Sequence, residues 1–207
     1  MQKGLLLAVE GGEGTGKDTV LAHIKKEYTE REDVVFVREP GGTEVGEMLR
    51  EILLSARSSG MTVEAELCCV FAARAQLLHE VVLPALEAGK VVVSNRFALS
   101  SAVYQLARKE REDLRPLYEQ LYASVVGELP VHYVLLDCPP EVGLARARGR
   151  KGEVSRIDME DVSIHERVRT AYLKEVQRYP HVVVDAAQEK AVVCDEVSVY
   201  IAQLLQH

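Results

Sequence analysis

With 207 residues, 47% of them hydrophobic and 28% charged, the chain carries enough apolar material for one sizeable core, which predicts a single domain and excludes a disordered or fibrous protein. A net charge of −7 sets most of the surface against a nucleic-acid backbone, so no polynucleotide partner is expected and any phosphate must meet a local basic site. Cys68, Cys69, Cys138 and Cys194 form no C-x-x-C pair and read as reduced thiols, the apolar start up to Glu10 lacks the features of a secretory signal, and no run reads as long enough to cross a bilayer; a cytoplasmic protein is the expectation.

In chain order, an apolar run at Leu5 to Val9 is followed by Gly11-Gly12-Glu13-Gly14-Thr15-Gly16-Lys17 and then by an amphipathic helix with Val20, Leu21, Ile24 and Tyr28 on one face. A second run is Val34 to Val37. Helical spacing from Thr62 to Leu86 predicts the longest helix, with a kink at Pro84 and a stop at Gly89. Further runs at Val91 to Val93, Val131 to Leu136 and Val182 to Val184 precede a last helix with Val193, Val197, Ile201 and Leu204 on one face. The stretch Arg146 to Arg156, rich in Arg and Gly, predicts a mobile basic flap. Most runs are continuous, as parallel strands buried on both faces should be, so the fold class is α/β, a five-stranded parallel sheet between helical layers.

The glycine loop carries the first chemistry. Glycines at 11, 14 and 16 let successive N–H groups point inward at the start of a helix, and Lys17 completes G-x-x-x-x-G-K, a cradle for a nucleotide triphosphate. Ser or Thr normally follows that lysine and binds magnesium through its hydroxyl. Here Asp18 follows, then Thr19, so Asp18 is a candidate to bind the ion directly. Arg146, Arg148, Arg150 and Arg156 could close over ATP, because their forked donors suit phosphate oxygens.

Several further motifs share one order and spacing: Arg38-Glu39-Pro40-Gly41-Gly42-Thr43, Phe71-Ala72-Ala73-Arg74-Ala75-Gln76, Ser94-Asn95-Arg96-Phe97, Ser100-Ser101-Ala102-Val103-Tyr104-Gln105 and Arg146-Ala147-Arg148. Together with the glycine loop they resemble bacterial thymidylate kinase from the first strand to about Tyr172. The resemblance implies the P-loop nucleoside-monophosphate-kinase fold with a basic lid at about 146–157, and transfer of the γ-phosphoryl group of ATP to dTMP with magnesium. It implies that Lys17 and the loop amides, including those of Gly12 and Thr15, hold the ATP phosphates. Arg96 would bridge toward the transferred group, and Arg50 would bind the acceptor phosphate. Arg74, Gln105, Ser100, Ser101 and Tyr104 would surround thymine, with Glu39 and Pro40 as the wall and Glu13 near the acceptor. A lid arginine, with Arg148 the candidate, would be catalytic, and a homodimer packed through helices is implied.

The chain departs from that family at Asp18, Val70, Asn95, Ala98 and Ser155. Asn95 stands where an aspartate usually precedes the arginine, so Asp18 and Asn95 together suggest that the carboxylate has moved to the loop. Val70 stands where a phenylalanine usually stacks on thymine, with Phe71 about 100° further around the helix, so either the helix is slightly rotated and Phe71 takes that place against the base, or stacking is weakened. A kinase for another nucleoside monophosphate, or a catalytically weakened nucleotide-binding homologue, are the competing readings.

Overall fold

The computed structural model describes residues 4–149 and 157–206. Along β1 (Leu5–Gly11) the side chains alternate between two cores. Leu6 and Ala8 join Phe71, Phe97, Tyr133 and Leu135, whereas Leu7 and Val9 join Val20, Ile24, Val134 and Val197. Both faces are covered, which is why the run shows no polar alternation. Then come β2 (Val34–Arg38), β3 (Val91–Asn95), β4 (Val131–Asp137) and β5 (His181–Asp185). They form one parallel sheet in the order β2-β3-β1-β4-β5, with Leu5 opposite Val91 and Val9 opposite Asn95. Each large aliphatic side chain buried between sheet and helices contributes about 1.5–3 kcal/mol.

Helix α1 (Lys17–Glu27) lays Val20 and Ile24 on the sheet, with Leu21 and the adjoining Tyr28 at the margin. α2 (Glu44–Leu54) is capped by Thr43, whose Oγ1 accepts from the Gly46 N–H at 3.0 Å. α3 (Val63–Leu77), capped by Thr62 in the same manner, runs through a π-helical turn, Leu78–Val82, into α4 (Leu83–Glu87). The irregularity expected at Pro84 therefore lies just before it. Proline offers no N–H and crowds the carbonyl four residues back, and the widened turn, in which the Leu83 N–H reaches the Leu78 carbonyl, accommodates it.

By length and composition the helical stretch Val63–Glu87, 25 residues, could cross a bilayer, contrary to the sequence reading that no run would. In the structure Leu67, Phe71, Leu77, Leu78 and Val82 pack into the protein core. α5 (Ala98–Ser101) continues into a second π-helical turn, Ala102–Ala107. α6 (Arg115–Val125), α7 (Pro140–Arg148), α8 (Val162–Glu175) and α9 (Lys190–Leu204) complete the layers. α9 packs Val193, Val197 and Ile201 beside α1, the face expected from its spacing.

Candidate active site

The strand order reverses at β1, and a sheet of this kind holds its ligand in the crevice beyond the carboxyl ends of the strands at that point. A cavity of about 640 Å³ opens there, a size suited to a small molecule. Its walls are Glu13 to Val20, Arg38 and Glu39 after β2, Arg50, Asn95 and Arg96 after β3, Arg146, and Ala186, Gln188, Lys190 and Val193 around the start of α9.

The loop after β1 can approach α7 only because it lacks side chains. Gly14 has φ 70°, and a Cβ on it would stand 1.8 Å from the Gly143 carbonyl oxygen. Gly16, at φ 88°, turns the chain into α1, whose first N–H groups face the cavity side. Lys17 is folded back on the loop, its Nζ donating to the carbonyls of Gly11 at 2.8 Å and Gly12 at 2.7 Å. Burial, and then the charge of Arg96, push the ammonium down to about 7, although Glu13, Glu10 and Asp18 act the other way. An anionic phosphate is a better partner for this lysine than two carbonyl dipoles, and would restore its charge.

Arg96 leaves β3 with φ 68°, a conformation costing a non-glycine residue about 1–2 kcal/mol. Three bonds hold that turn: Ser94 Oγ donates to the Arg96 carbonyl at 2.6 Å, the Arg96 N–H to the Val9 carbonyl at 3.0 Å, and the Phe97 N–H to Glu10 Oε1 at 2.7 Å. The guanidinium lies over the Tyr104 ring, 4.9 Å from its centroid, and Nη2 donates to Glu13 Oε1 at 3.2 Å. Burial opposes its charge, yet Tyr104, Tyr172, Glu13 and Glu10 outweigh burial and hold it firmly protonated. Glu13 is the reciprocal case: burial raises its carboxyl, but Arg96 and Lys17 bring it below the ordinary range, and the Tyr104 hydroxyl donates to it at 2.8 Å.

Behind Glu39, which lines the cavity, Arg74 is 1% exposed and not itself part of the lining. Its Nε and Nη2 donate to Glu39 Oε2 at 2.9 and 2.6 Å, and Nη2 donates to Ser101 Oγ at 2.9 Å. Burial works against its charge and Glu39 more than compensates. Its guanidinium lies between the rings of Phe71, at 4.7 Å, and Phe97, at 5.2 Å. Arg74 Nη1 and Glu39 Oε1 are both buried and have no hydrogen-bond partner among the described residues, leaving over one donor nitrogen and one acceptor, the latter on a residue that lines the cavity.

Phe71, one of the two alternatives for the base, stands beside Val70 on α3. It is 1% exposed, meets Tyr118 edge-on at 5.6 Å and backs Arg74, so its ring belongs to the core and not to the cavity. Val70 is also buried, at 8% exposure. Arg50 lines the cavity and donates from Nη1 to the Pro40 carbonyl at 2.9 Å; burial and then Arg38 lower its pKa. Tyr104 and Gln105 share the second π-helical turn, Tyr104 buried and Gln105 half-buried.

Ser100 faces Arg96 and Glu10, donating to Glu10 Oε2 at 2.7 Å. Arg146, on the last turn of α7, donates to the carbonyls of Ala186 and Ala187, and Arg148 is exposed on the same turn. Arg150, Ser155 and Arg156 lie outside the described residues.

Glu10, Arg38, Tyr172, Gln188 and Lys190 were not singled out by the sequence reading. Glu10 had a signal: a carboxylate closing an otherwise apolar strand has to be bonded inside. Arg38 closes β2, Tyr172 lies on α8, and Gln188 and Lys190 stand at the start of α9; only the folded chain brings Arg38, Gln188 and Lys190 to the cavity and Tyr172 to Arg96.

A parallel sheet in this order, with a glycine loop and buried lysine after its central strand and arginines across the cavity, defines a P-loop nucleoside-monophosphate kinase. The family model for thymidylate kinase matches residues 9–197. The thymidylate kinase of Protochlamydia amoebophila is 38% identical over 86% of this chain and 82% of its own length. That of Leuconostoc mesenteroides is 36% identical over 100% of this chain and 99% of its own. The chain belongs to the thymidylate kinase family.

Proposed function

We propose that this chain transfers the γ-phosphoryl group of ATP to dTMP, giving dTDP and ADP. The observation that carries the reading is Arg96, a half-buried, firmly charged guanidinium on the cavity wall within hydrogen-bond reach of the phosphate loop at two points, the Gly11 carbonyl at 3.4 Å and Glu13 at 3.2 Å. Phosphoryl transfer asks the protein mainly to position two anions and offset their charge. In this reading Lys17 and the loop amides hold the ATP phosphates, Arg96 meets the transferred group, Arg50 and Arg38 receive the acceptor phosphate, and Glu13 keeps Arg96 and Tyr104 in place. The spare donor on Arg74 and the half-buried Gln105 supply the contacts to thymine.

Magnesium fits the donor set. Among the described residues no group of three or more His, Cys, Asp or Glu forms a protein cage, while Asp18 and Asn95, each with a side-chain oxygen, are both residues that line the cavity. An ion that keeps water and phosphate oxygens for most of its shell needs only one or two such ligands. When bound with ATP it would neutralise phosphate charge. The remaining parts of the reading are one kinase domain, a lid at about 146–157 that closes over ATP, a cytoplasmic location, and a homodimer. Exposed Val45, Met48 and Ile52 on one side of α2 support the last, since a dimer would cover them.

The test is ADP formation from ATP and magnesium with dTMP, dUMP, dCMP, dGMP and UMP as acceptors. A clear preference for dTMP is expected, and equal or absent turnover of all five would overturn the reading. The moved carboxylate is tested by two variants: Asp18→Ser should be inactive, and Asp18→Ser with Asn95→Asp should regain activity. Failure of the pair to recover in folded protein would sink that exchange.

A further inference from the structure

Glu10, next to last in β1, carries a carboxylate that is 0% exposed and is not itself part of the cavity lining. Its Oε1 accepts from the backbone N–H groups of Phe97 at 2.7 Å and Ser100 at 3.2 Å. Its Oε2 accepts from Ser100 Oγ at 2.7 Å and the Tyr172 hydroxyl at 3.1 Å. Those two hydroxyls stand 2.9 Å apart, and each receives a bond from Arg96 Nη1, at 3.2 Å for Ser100 and 3.0 Å for Tyr172.

The direction of these bonds is fixed by their ends. Arginine can only donate and an ionised carboxylate can only accept. Each hydroxyl therefore takes a proton from Arg96 on one side and has its own proton free for Glu10 on the other. The chain runs from the half-buried guanidinium through two hydroxyl relays to a buried carboxylate, and the same carboxylate holds the backbone turn that carries the guanidinium. Such a network loses more than one bond when its terminal acceptor is removed.

We infer that Glu10, acting through Ser100 and Tyr172, is the positioning residue that sets the orientation of Arg96 for phosphoryl transfer, and that Ser100 serves this relay and not the acceptor. The inference rests on the proposed dTMP kinase reading.

Three variants of the full chain test it, with kcat and KM for ATP and dTMP, and thermal unfolding, as readouts. Glu10→Gln keeps the size but turns an amide donor toward hydroxyls that already accept from Arg96. It should lower kcat about 10²-fold, the scale of a small misplacement of a reacting group, with KM for ATP little changed. Tyr172→Phe, which removes one relay and leaves the ring, should lower kcat about tenfold with wild-type folding. The double variant should be no slower than Glu10→Gln alone, because both act through one network.

Wild-type kcat in folded Tyr172→Phe or Glu10→Gln, a loss confined to KM, or additive losses in the double variant would each overturn the inference. If Glu10→Gln does not fold, Tyr172→Phe and Ser100→Ala decide it: the combined pair with wild-type kcat refutes the relay, and a kcat loss at unchanged KM for ATP supports it. A wild-type chain inactive on dTMP would refute the functional reading instead, so the two failures are distinct.

Discussion

The loops that leave the sheet after β1 and β3 meet the same demand, a sharp turn that presents charge to the cavity, by opposite means. The first uses glycines, two of them at φ 70° and 88°, and its shape is local. The second uses a non-glycine residue, Arg96, at φ 68°, and its shape is held chiefly from another strand, by Glu10, with Ser94 of its own segment adding one bond. A glycine turn relaxes wherever its sequence goes. A strained arginine turn persists only while its surroundings over-determine it, which is a familiar condition at functional sites.

The largest effects should come from the two cations these loops present. Lys17→Met and Arg96→Met should each lower kcat/KM for dTMP phosphorylation by about 10²–10³-fold, the scale for losing one transition-state donor. The split should differ, with KM for ATP raised in the first and kcat lowered in the second. Activity within tenfold of wild type in either variant would break the assignment.

Next comes the backbone of the glycine loop. Gly14→Ala pairs a positive φ with a Cβ 1.8 Å from the Gly143 carbonyl, so α7 has to move; adding strain to overpacking gives a loss of about 2–5 kcal/mol in urea unfolding. Gly16→Ala meets no atom within 4 Å and should lose only the left-handed conformational cost, about 1–2 kcal/mol. Equal losses would mean that the close approach to α7 carries no energy.

This contrast also explains what could be read before folding. Glycines state their backbone role in the sequence, and continuous Val and Leu runs state a sheet covered on both faces, so the cradle and the parallel strands were legible. The turn at Arg96 was not, because Arg96 gives no sign of a positive φ and Glu10, which secures it, lies on another strand. Phe71 stayed open for a related reason: a phenylalanine three residues before an arginine suits stacking on a base or backing that arginine, and its edge-on packing with Tyr118 and contact with Arg74 appear only in the fold. The kink expected at Pro84 lies in the preceding π-helical turn because periodicity locates apolar faces, not which carbonyl a displaced N–H will find.

A smaller effect separates the two cations by pH. Lys17 stands near 7 against an ordinary value of about 10.4, whereas Arg96 is held protonated throughout. Above pH 7 the free protein carries Lys17 mostly neutral, and phosphate favours the charged form, so ATP binding takes up a proton. KM for ATP should rise by up to about tenfold per pH unit between pH 7.5 and 8.5. Calorimetric titrations at pH 8 in two buffers of different ionisation enthalpy should detect that uptake, and it should vanish in Lys17→Met. The same shift means that in this window the unfolded chain binds more protons than the folded one, so this group's contribution to stability rises with pH from about 7 to about 10. A flat KM profile with no proton uptake would place Lys17 outside the titrating site.

The smallest expected effect belongs to Ser94→Ala. Ser94 is 1% exposed, and its hydroxyl is one of the three bonds that hold the Arg96 turn. Removing it leaves the Arg96 carbonyl without that donor, a loss of about 1 kcal/mol, while Val9 and Glu10 still hold the turn on either side. The variant should unfold at slightly lower urea and keep kcat within about twofold of wild type. A large fall in kcat from this one hydroxyl would shift control of the turn from Glu10 to Ser94. The two loops would then differ less than the structure implies, because the strained turn, like the glycine turn, would be secured by a residue of its own segment.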